Sequence, residues 1–225
     1  MKTLLVTGTD TGVGKTWISC ILIRQLISEG LRIGAYKPAC SGAEFSAEGM
    51  PHWADVDSLA AACDHSGDPD LVCPQRFHAP LAPPLAAVQE GRAVDEQLLI
   101  SGLDRWQGKA DLVVVEGAGG LLCPMSDRLT VADLASTWNT PLVLVVANRL
   151  GLINHTLLSL EVAARRGLLV RAVVLNDVSP DDYSAATNPN LLSQWIGSLP
   201  FFRCLYRENV LKPLNQQAET MEWGC

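Results

Sequence analysis

Thr3-Leu4-Leu5-Val6-Thr7-Gly8-Thr9-Asp10-Thr11-Gly12-Val13-Gly14-Lys15-Thr16 is the stretch whose reading decides the fold. An apolar run of strand length enters a glycine-containing loop that ends in Gly-Lys-Thr, and a segment of helical periodicity follows. Gly12 and Gly14 permit backbone conformations that a side chain would forbid, so consecutive N–H groups can converge on phosphate oxygens at the start of the next helix. The helix dipole favours the anion there. In this pattern Lys15 reaches the β- and γ-phosphates, and the Thr16 hydroxyl ligates Mg²⁺. The loop is a variant one residue longer than usual, because Thr9 stands where a glycine is expected and the glycine is one place earlier, at Gly8. A turn that merely needed glycines would explain Gly8 and Gly14. It would not explain Lys15-Thr16 in register behind a strand.

Outward from the loop, Ile18, Ile21, Leu22, Leu26 and Ile27 keep helical spacing, with Gly30 as the stop. Residues 31–36 read as a second strand, closed at Lys37 by Pro38. A polar, irregular segment over 43–53 precedes a helix that opens on Asp55 and Asp57. Pro74, Pro80, Pro83 and Pro84 make residues 74–86 too proline-rich for regular structure, and this insert is expected to shape a pocket before a helix over 95–107. Leu112-Val113-Val114-Val115-Glu116 is a central strand ending in a carboxylate, followed by Gly117-Ala118-Gly119-Gly120. Further strands are expected at 141–148 and 168–175, separated by a helix that Asn154 caps and Gly167 ends. Residues 201–225 carry only weak patterning.

Strands alternate with helices throughout, which predicts a single-domain α/β fold over residues 1–225: a doubly wound, mostly parallel sheet with helices on both faces, like the P-loop nucleoside triphosphatases. Right-handed crossovers then bring every strand's C-terminal end to one edge of the sheet. The loop at 8–16, Lys37 to Ser41, Glu116 to Gly120, residues 148–154 and Asn176-Asp177 all fall there.

With 225 residues, of which 48% are hydrophobic, the chain can fill one α/β core. A formal net charge of −7 argues against a nucleic-acid or anionic-membrane surface, since each needs a clustered positive field, and favours small-molecule partners. Seven cysteines, an odd number with no Cys-x-x-Cys pair, suit a reducing compartment. No apolar run has signal-peptide or membrane-span character, so the expectation is a cytoplasmic protein.

At the shared edge, Glu116 is placed to complete a Mg²⁺ site opposite Thr16. Asp57 is a third candidate contact, and Asp55 competes with it. Lys37 offers a second ammonium beside the phosphate site, suited to charge gathering on transferring oxygens. Asn176 ends a strand where an amide can both donate to and accept from a base edge. His52, His65, His78 and His155 show no metal-ligand spacing, and Cys40 reads as well as a packing residue as a nucleophile.

The segments 8–16 (Gly-Thr-Asp-Thr-Gly-Val-Gly-Lys-Thr), 36–42 (Tyr-Lys-Pro-Ala-Cys-Ser-Gly), 115–120 (Val-Glu-Gly-Ala-Gly-Gly), 150–155 (Leu-Gly-Leu-Ile-Asn-His) and 176–178 (Asn-Asp-Val), taken in order, resemble the dethiobiotin synthetase family of biotin biosynthesis. The resemblance implies a homodimeric, ATP- and Mg²⁺-dependent cyclo-ligase. Such an enzyme joins CO₂ to 7,8-diaminopelargonic acid and closes a ureido ring through a carbamate and a carbamic-phosphoric anhydride. It further implies that Gly12, Val13, Gly14, Lys15 and Thr16 hold the phosphates, with Thr16, Asp57 and Glu116 at the metal. Lys37, Lys15, Thr11 and Ser41 would be catalytic, with Thr11, Lys37, Ser41 and Gly119 facing the diamine. Glu116, Gly117 and Gly119 would border the nucleotide, while Asn176 and Pro200 would contact adenine. Leu150, Gly151 and Asn154 would reach the diamine's carboxylate from the partner subunit. Gly12 stands where some members carry an acidic residue, so that side-chain contact to nucleotide is absent here. The main rival is a partitioning or switch-type ATPase, but such proteins place a lysine where this chain has Asp10, and no basic amphipathic tail is visible. A relative fed by a glutaminase domain would need more chain than 225 residues provide, so that rival requires a separate glutaminase subunit.

Overall fold

The computed structural model describes residues 1–64 and 68–224; His65 and Cys225 lie outside them. Seven strands form the main sheet, in the spatial order Lys212–Pro213, Phe201–Cys204, Val170–Asn176, Leu142–Ala147, Lys2–Gly8, Leu112–Gly120 and Ile33–Tyr36. All neighbours pair in parallel except the Lys212–Pro213 edge, which is antiparallel to Phe201–Cys204.

The strand Leu142–Ala147 shows why the sheet is covered twice. Val143, Val145 and Ala147 join the main apolar core, whereas Leu144 and Val146 join a second cluster with Leu152, Leu192, Ile196 and Phe201. Successive side chains point to opposite faces, so a strand without polar alternation must be covered on both. The order of crossovers agrees: the path from Lys2–Gly8 to Ile33–Tyr36 runs one way along the sheet and that from Leu112–Gly120 to Leu142–Ala147 runs the other. Right-handed connections then put their helices, Lys15–Ser28 and Val131–Trp138, on opposite faces. Along Lys15–Ser28, Ile18, Leu22, Ile23 and Leu26 are wholly buried, each worth ~2 kcal/mol against exposure.

Several expectations are corrected. Glu116 does not end its strand: pairing with Lys2–Gly8 continues across a register shift to Gly8 opposite Gly120, so the glycine run lies alongside the phosphate loop. Pro83 and Pro84 do not exclude regular structure, because they open the helix Pro83–Gln89, at positions where a missing N–H is harmless. Asn154 does not cap its helix. Leu152–Arg165 begins after Gly151, whose φ of 95° glycine tolerates, and Asn154 falls inside the first turn. The weakly patterned C-terminal stretch supplies two strands of the main sheet, Phe201–Cys204 and Lys212–Pro213.

Candidate active site

The phosphate loop runs from the end of Lys2–Gly8 into the helix Lys15–Ser28. Gly14 has φ 87°, and a Cβ there would stand 2.1 Å from Asn176 Nδ2, so both conformation and space require glycine. That approach is productive: Asn176 Nδ2 donates to the carbonyl of Val13 at 2.9 Å. The far strand end is thereby tied to the loop. Lys15 is buried, and its ammonium donates to the Asp10 carbonyl at 3.1 Å. Burial holds its pKa below the ordinary lysine value, the nearby positive charge of Lys37 adds to this, and Glu116 partly opposes it.

Behind the loop, Thr16, Lys37, Asp55, Glu116 and Ser19 form one network. Thr16 Oγ1 lies 2.8 Å from Asp55 Oδ1 and 2.9 Å from Glu116 Oε1. One hydroxyl proton cannot serve two carboxylates at once, so this oxygen triad calls for a cation. Lys37 donates to Asp55 Oδ2 at 2.8 Å and to Glu116 Oε1 at 2.5 Å, while Ser19 donates to Glu116 Oε2 at 2.9 Å. Glu116 is wholly buried and Lys37 nearly so. Burial alone would depress the lysine, but Glu116 and then Asp55 more than offset it, and the ammonium is held above its ordinary value. Burial likewise opposes ionisation of Asp55, yet Lys37 and the Thr16 hydroxyl hold that carboxyl below the usual range.

The structure therefore corrects the choice between the two aspartates. Asp55 and Asp57 sit two residues apart on the helix Ala54–Ala62, about 200° around its axis, so only one can face Thr16. Asp57 points instead to His52, 3.3 Å away and largely in solvent. The donor set Thr16, Asp55 and Glu116 fits a hard divalent cation, which takes carboxylate and hydroxyl oxygens. Among the described residues no group of three or more histidine, cysteine and acidic side chains is placed to hold a metal.

These residues floor a cleft of about 690 Å³. Its lining joins Thr11, Gly12, Gly14, Lys15 and Thr16 with Lys37, Ser41, Asp55 and Gly119; Ala39, Cys40, Pro80, Leu81, Ala82 and Pro83 make its wall apolar elsewhere. Ser41 Oγ donates to the Leu81 carbonyl at 2.6 Å and pins that wall. Cys40 and Cys123 also line the cleft, and burial raises both thiols, Cys40 to about 11, which works against a thiolate at either.

Other expected residues lie elsewhere. Gly117 is buried, with its α-carbon facing Val131, and Ala118 and Gly119 line the cleft instead. Pro200 pairs through its carbonyl with Val173 N–H, halfway down the sheet, because Phe201 stands opposite Val173 and only Cys204 reaches the level of Asn176. The loop at 205–209 occupies the edge where Pro200 was expected, and the Glu208 carbonyl accepts from Trp17 Nε1 at 3.0 Å. Leu150, Gly151 and Asn154 are exposed at the start of Leu152–Arg165 and do not line the cleft, although Arg149 reaches Asp10 at 3.4 Å. Sequence reasoning missed Ser19 and the 205–209 loop. Ser19 had a signal, since it lies one turn after Lys15 on the same helix.

A parallel sheet with a phosphate loop at its edge and a buried carboxylate opposite Thr16 defines a P-loop nucleotide-binding protein. The family model described as an AAA domain matches residues 2–213. The signal recognition particle receptor FtsY shares the fold: the Physcomitrella patens chloroplast protein superposes with a TM-score of 0.56 at 16% identity, covering 96% of this chain and 63% of that one. The Thermotoga maritima protein gives 0.53 at 14%, covering 96% and 66%. At such identities the likeness shows the fold alone. Three curated relatives carry the name ATP-dependent dethiobiotin synthetase. The protein from an Anaeromyxobacter species is 40% identical over 93% of this chain and 92% of its own. That from Rhodopirellula baltica is 38% identical over 85% and 79%, and one from Escherichia coli K12 is 37% identical over 89% and 91%. The chain belongs to the dethiobiotin synthetase family, an ATP-dependent ligase family, and the switch-type ATPase reading is set aside.

Proposed function

We propose that the cleft binds ATP with Mg²⁺ at its phosphate-loop end and 7,8-diaminopelargonic acid along its apolar wall, and that it forms the ureido ring from CO₂. The observation that carries this reading is the juxtaposition of two buried ammoniums, Lys15 and Lys37, with a wall of Ala39, Pro80, Leu81 and Pro83 in one cleft. A phosphate chain suits the first feature and an alkyl chain the second.

One amine of the diamine attacks CO₂ and loses a proton, giving a carbamate. A carbamate oxygen attacks the γ-phosphorus and ADP leaves, giving a carbamic-phosphoric anhydride. The second amine attacks the carbonyl carbon, phosphate leaves with the C–O bond, and a proton is lost as the ring closes. Thr16, Asp55 and Glu116 would hold Mg²⁺, which when bound neutralises phosphate charge. Lys15 binds the phosphates, Lys37 stabilises charge on the carbamate and the transferring phosphoryl group, and Thr11, Ser41 and Gly119 orient the diamine. No protein nucleophile is required. Alignment of the reacting groups supplies roughly 7–11 kcal/mol of the barrier, and each aimed charged donor ~3–4 kcal/mol. The protein acts as a cytoplasmic homodimer of one-domain subunits. Leu150, Gly151 and Asn154, exposed beside the loop, serve the partner's diamine site.

The test is turnover of ATP, Mg²⁺, bicarbonate and diaminopelargonic acid by the purified protein, with product followed by mass spectrometry. Lys37→Gln should lower turnover at least ~10²-fold with much less change in nucleotide affinity. ADP release without ring product would overturn the reading.

A further inference from the structure

The geometry points to a second task for Lys37: its ammonium holds the cation position between Asp55 and Glu116, and a divalent cation entering there displaces it into the cleft. This rests on the metal reading of Thr16, Asp55 and Glu116 above.

Three observations carry it. Glu116 presents one oxygen to the site, because Ser19 occupies Oε2, and that remaining oxygen, Oε1, is approached by both Thr16 Oγ1 at 2.9 Å and Lys37 Nζ at 2.5 Å. Asp55 divides in the same way, with Oδ1 on Thr16 at 2.8 Å and Oδ2 on Lys37 at 2.8 Å. A cation ligated by these same oxygens and by Thr16 would stand within a few ångströms of the ammonium, on the side of the site where Lys37 and Glu116 are buried and like charges are less screened than in water. The two cations therefore compete for one pair of carboxylates.

The route of the displaced lysine is also fixed. Its backbone N–H is bonded to the Val72 carbonyl at 2.8 Å and Pro38 follows it, so the main chain does not swing. Lys37 lines the cleft, and the side chain has that space to enter. The lysine becomes free for the organic substrate only after the metal has arrived with its nucleotide, which imposes an order on the assembly of the site. Before that the ammonium keeps two clustered carboxylates from repelling each other.

The probe is Mn²⁺ bound to nucleotide-free protein, with free ion measured by electron paramagnetic resonance. Lys37→Met should bind Mn²⁺ at least ~10-fold tighter than wild type, and Glu116→Gln added to Lys37→Met should remove the gain. Equal or weaker binding in Lys37→Met, still sensitive to Glu116→Gln, overturns the competition while leaving the metal site standing. Binding that ignores Glu116→Gln, or no binding by any variant, overturns the metal site itself. Because Lys37→Met leaves a buried carboxylate without its partner, a second measurement uses wild type: acetic anhydride labelling of Lys37, read by peptide mass spectrometry. Saturating Mn²⁺ should raise that labelling rate several-fold, and an unchanged rate overturns the displacement.

Discussion

Asn176 and Val13 are joined across the sheet edge, the side-chain amide of the one donating to the main-chain carbonyl of the other at 2.9 Å. The end of the strand Val170–Asn176 thus braces the phosphate loop. Asn176→Ala should raise KM for ATP about 10-fold while kcat falls less, since loop geometry and a base contact are lost together. Steady-state kinetics with ATP as the varied substrate decides this, and an unchanged KM removes Asn176 from the nucleotide site.

Asp55 and Asp57 should separate cleanly. Asp55→Asn removes a carboxylate from the Thr16 triad and should cut turnover by ~10² or more while raising the Mg²⁺ concentration needed for half-maximal rate. Asp57→Asn touches only the exposed pair with His52 and should stay within about 3-fold of wild type. The reverse ranking in a Mg²⁺ titration would return the metal role to Asp57.

Burial of the Lys15 ammonium weighs against folding. Its pKa lies below the ordinary 10.5, chiefly through burial, so at any pH below that value the unfolded chain keeps its proton more favourably than the native one. Lys15→Met should therefore abolish turnover and raise the Tm of the nucleotide-free protein, by ~2–4 °C for each kcal/mol relieved. A lower Tm, measured by calorimetry, contradicts the argument.

The Lys37–Asp55 pair gives a pH signature. Asp55 is held below its ordinary 3.8, so its contribution to stability is complete above that value and is lost as pH falls through the lower native one. Lys37 is held above 10.5, so its contribution is complete below that and lost only as pH rises past the native value. The stability difference between wild type and Asp55→Asn should be flat from about pH 5 to 9 and shrink below about pH 4. Denaturant titrations across that range test it; a difference that grows in acid refutes the sign.

Ser41→Ala frees the Leu81 carbonyl and with it the apolar wall. KM for the diamine should rise several-fold with KM for ATP unchanged, because Ser41 is bonded to the Leu81 carbonyl of the wall and not to the phosphate loop. Equal rises in both would mean that the substitution disturbs the whole cleft.

Local spacing made much of this legible. The register of Gly14, Lys15 and Thr16 behind a strand marks the phosphate loop, and the four-residue apolar run before Glu116 places a carboxylate beside it. What escaped the sequence depends on pairing between distant segments. That Gly117 faces Val131, and that Pro200 lies level with Val173, follow from strand register, which the residues around each position do not encode. Asp55 and Asp57 were indistinguishable by type, and only the rotation of their helix against Thr16 separates them.

The antiparallel pair at Lys212–Pro213 has a consequence for how copies of this protein meet. A parallel sheet left open at Phe201–Cys204 would offer bare N–H and carbonyl groups to any passing extended chain. Here that edge ends in two residues, one carrying a charge and the other no amide proton, so sheet extension and the aggregation it brings stop there. The helix Leu152–Arg165 and the turn before it bear the opposite character, with Leu150 87% and Leu158 56% exposed. Any association made through that helix would rest on side chains, which can discriminate a correct partner where a strand edge cannot.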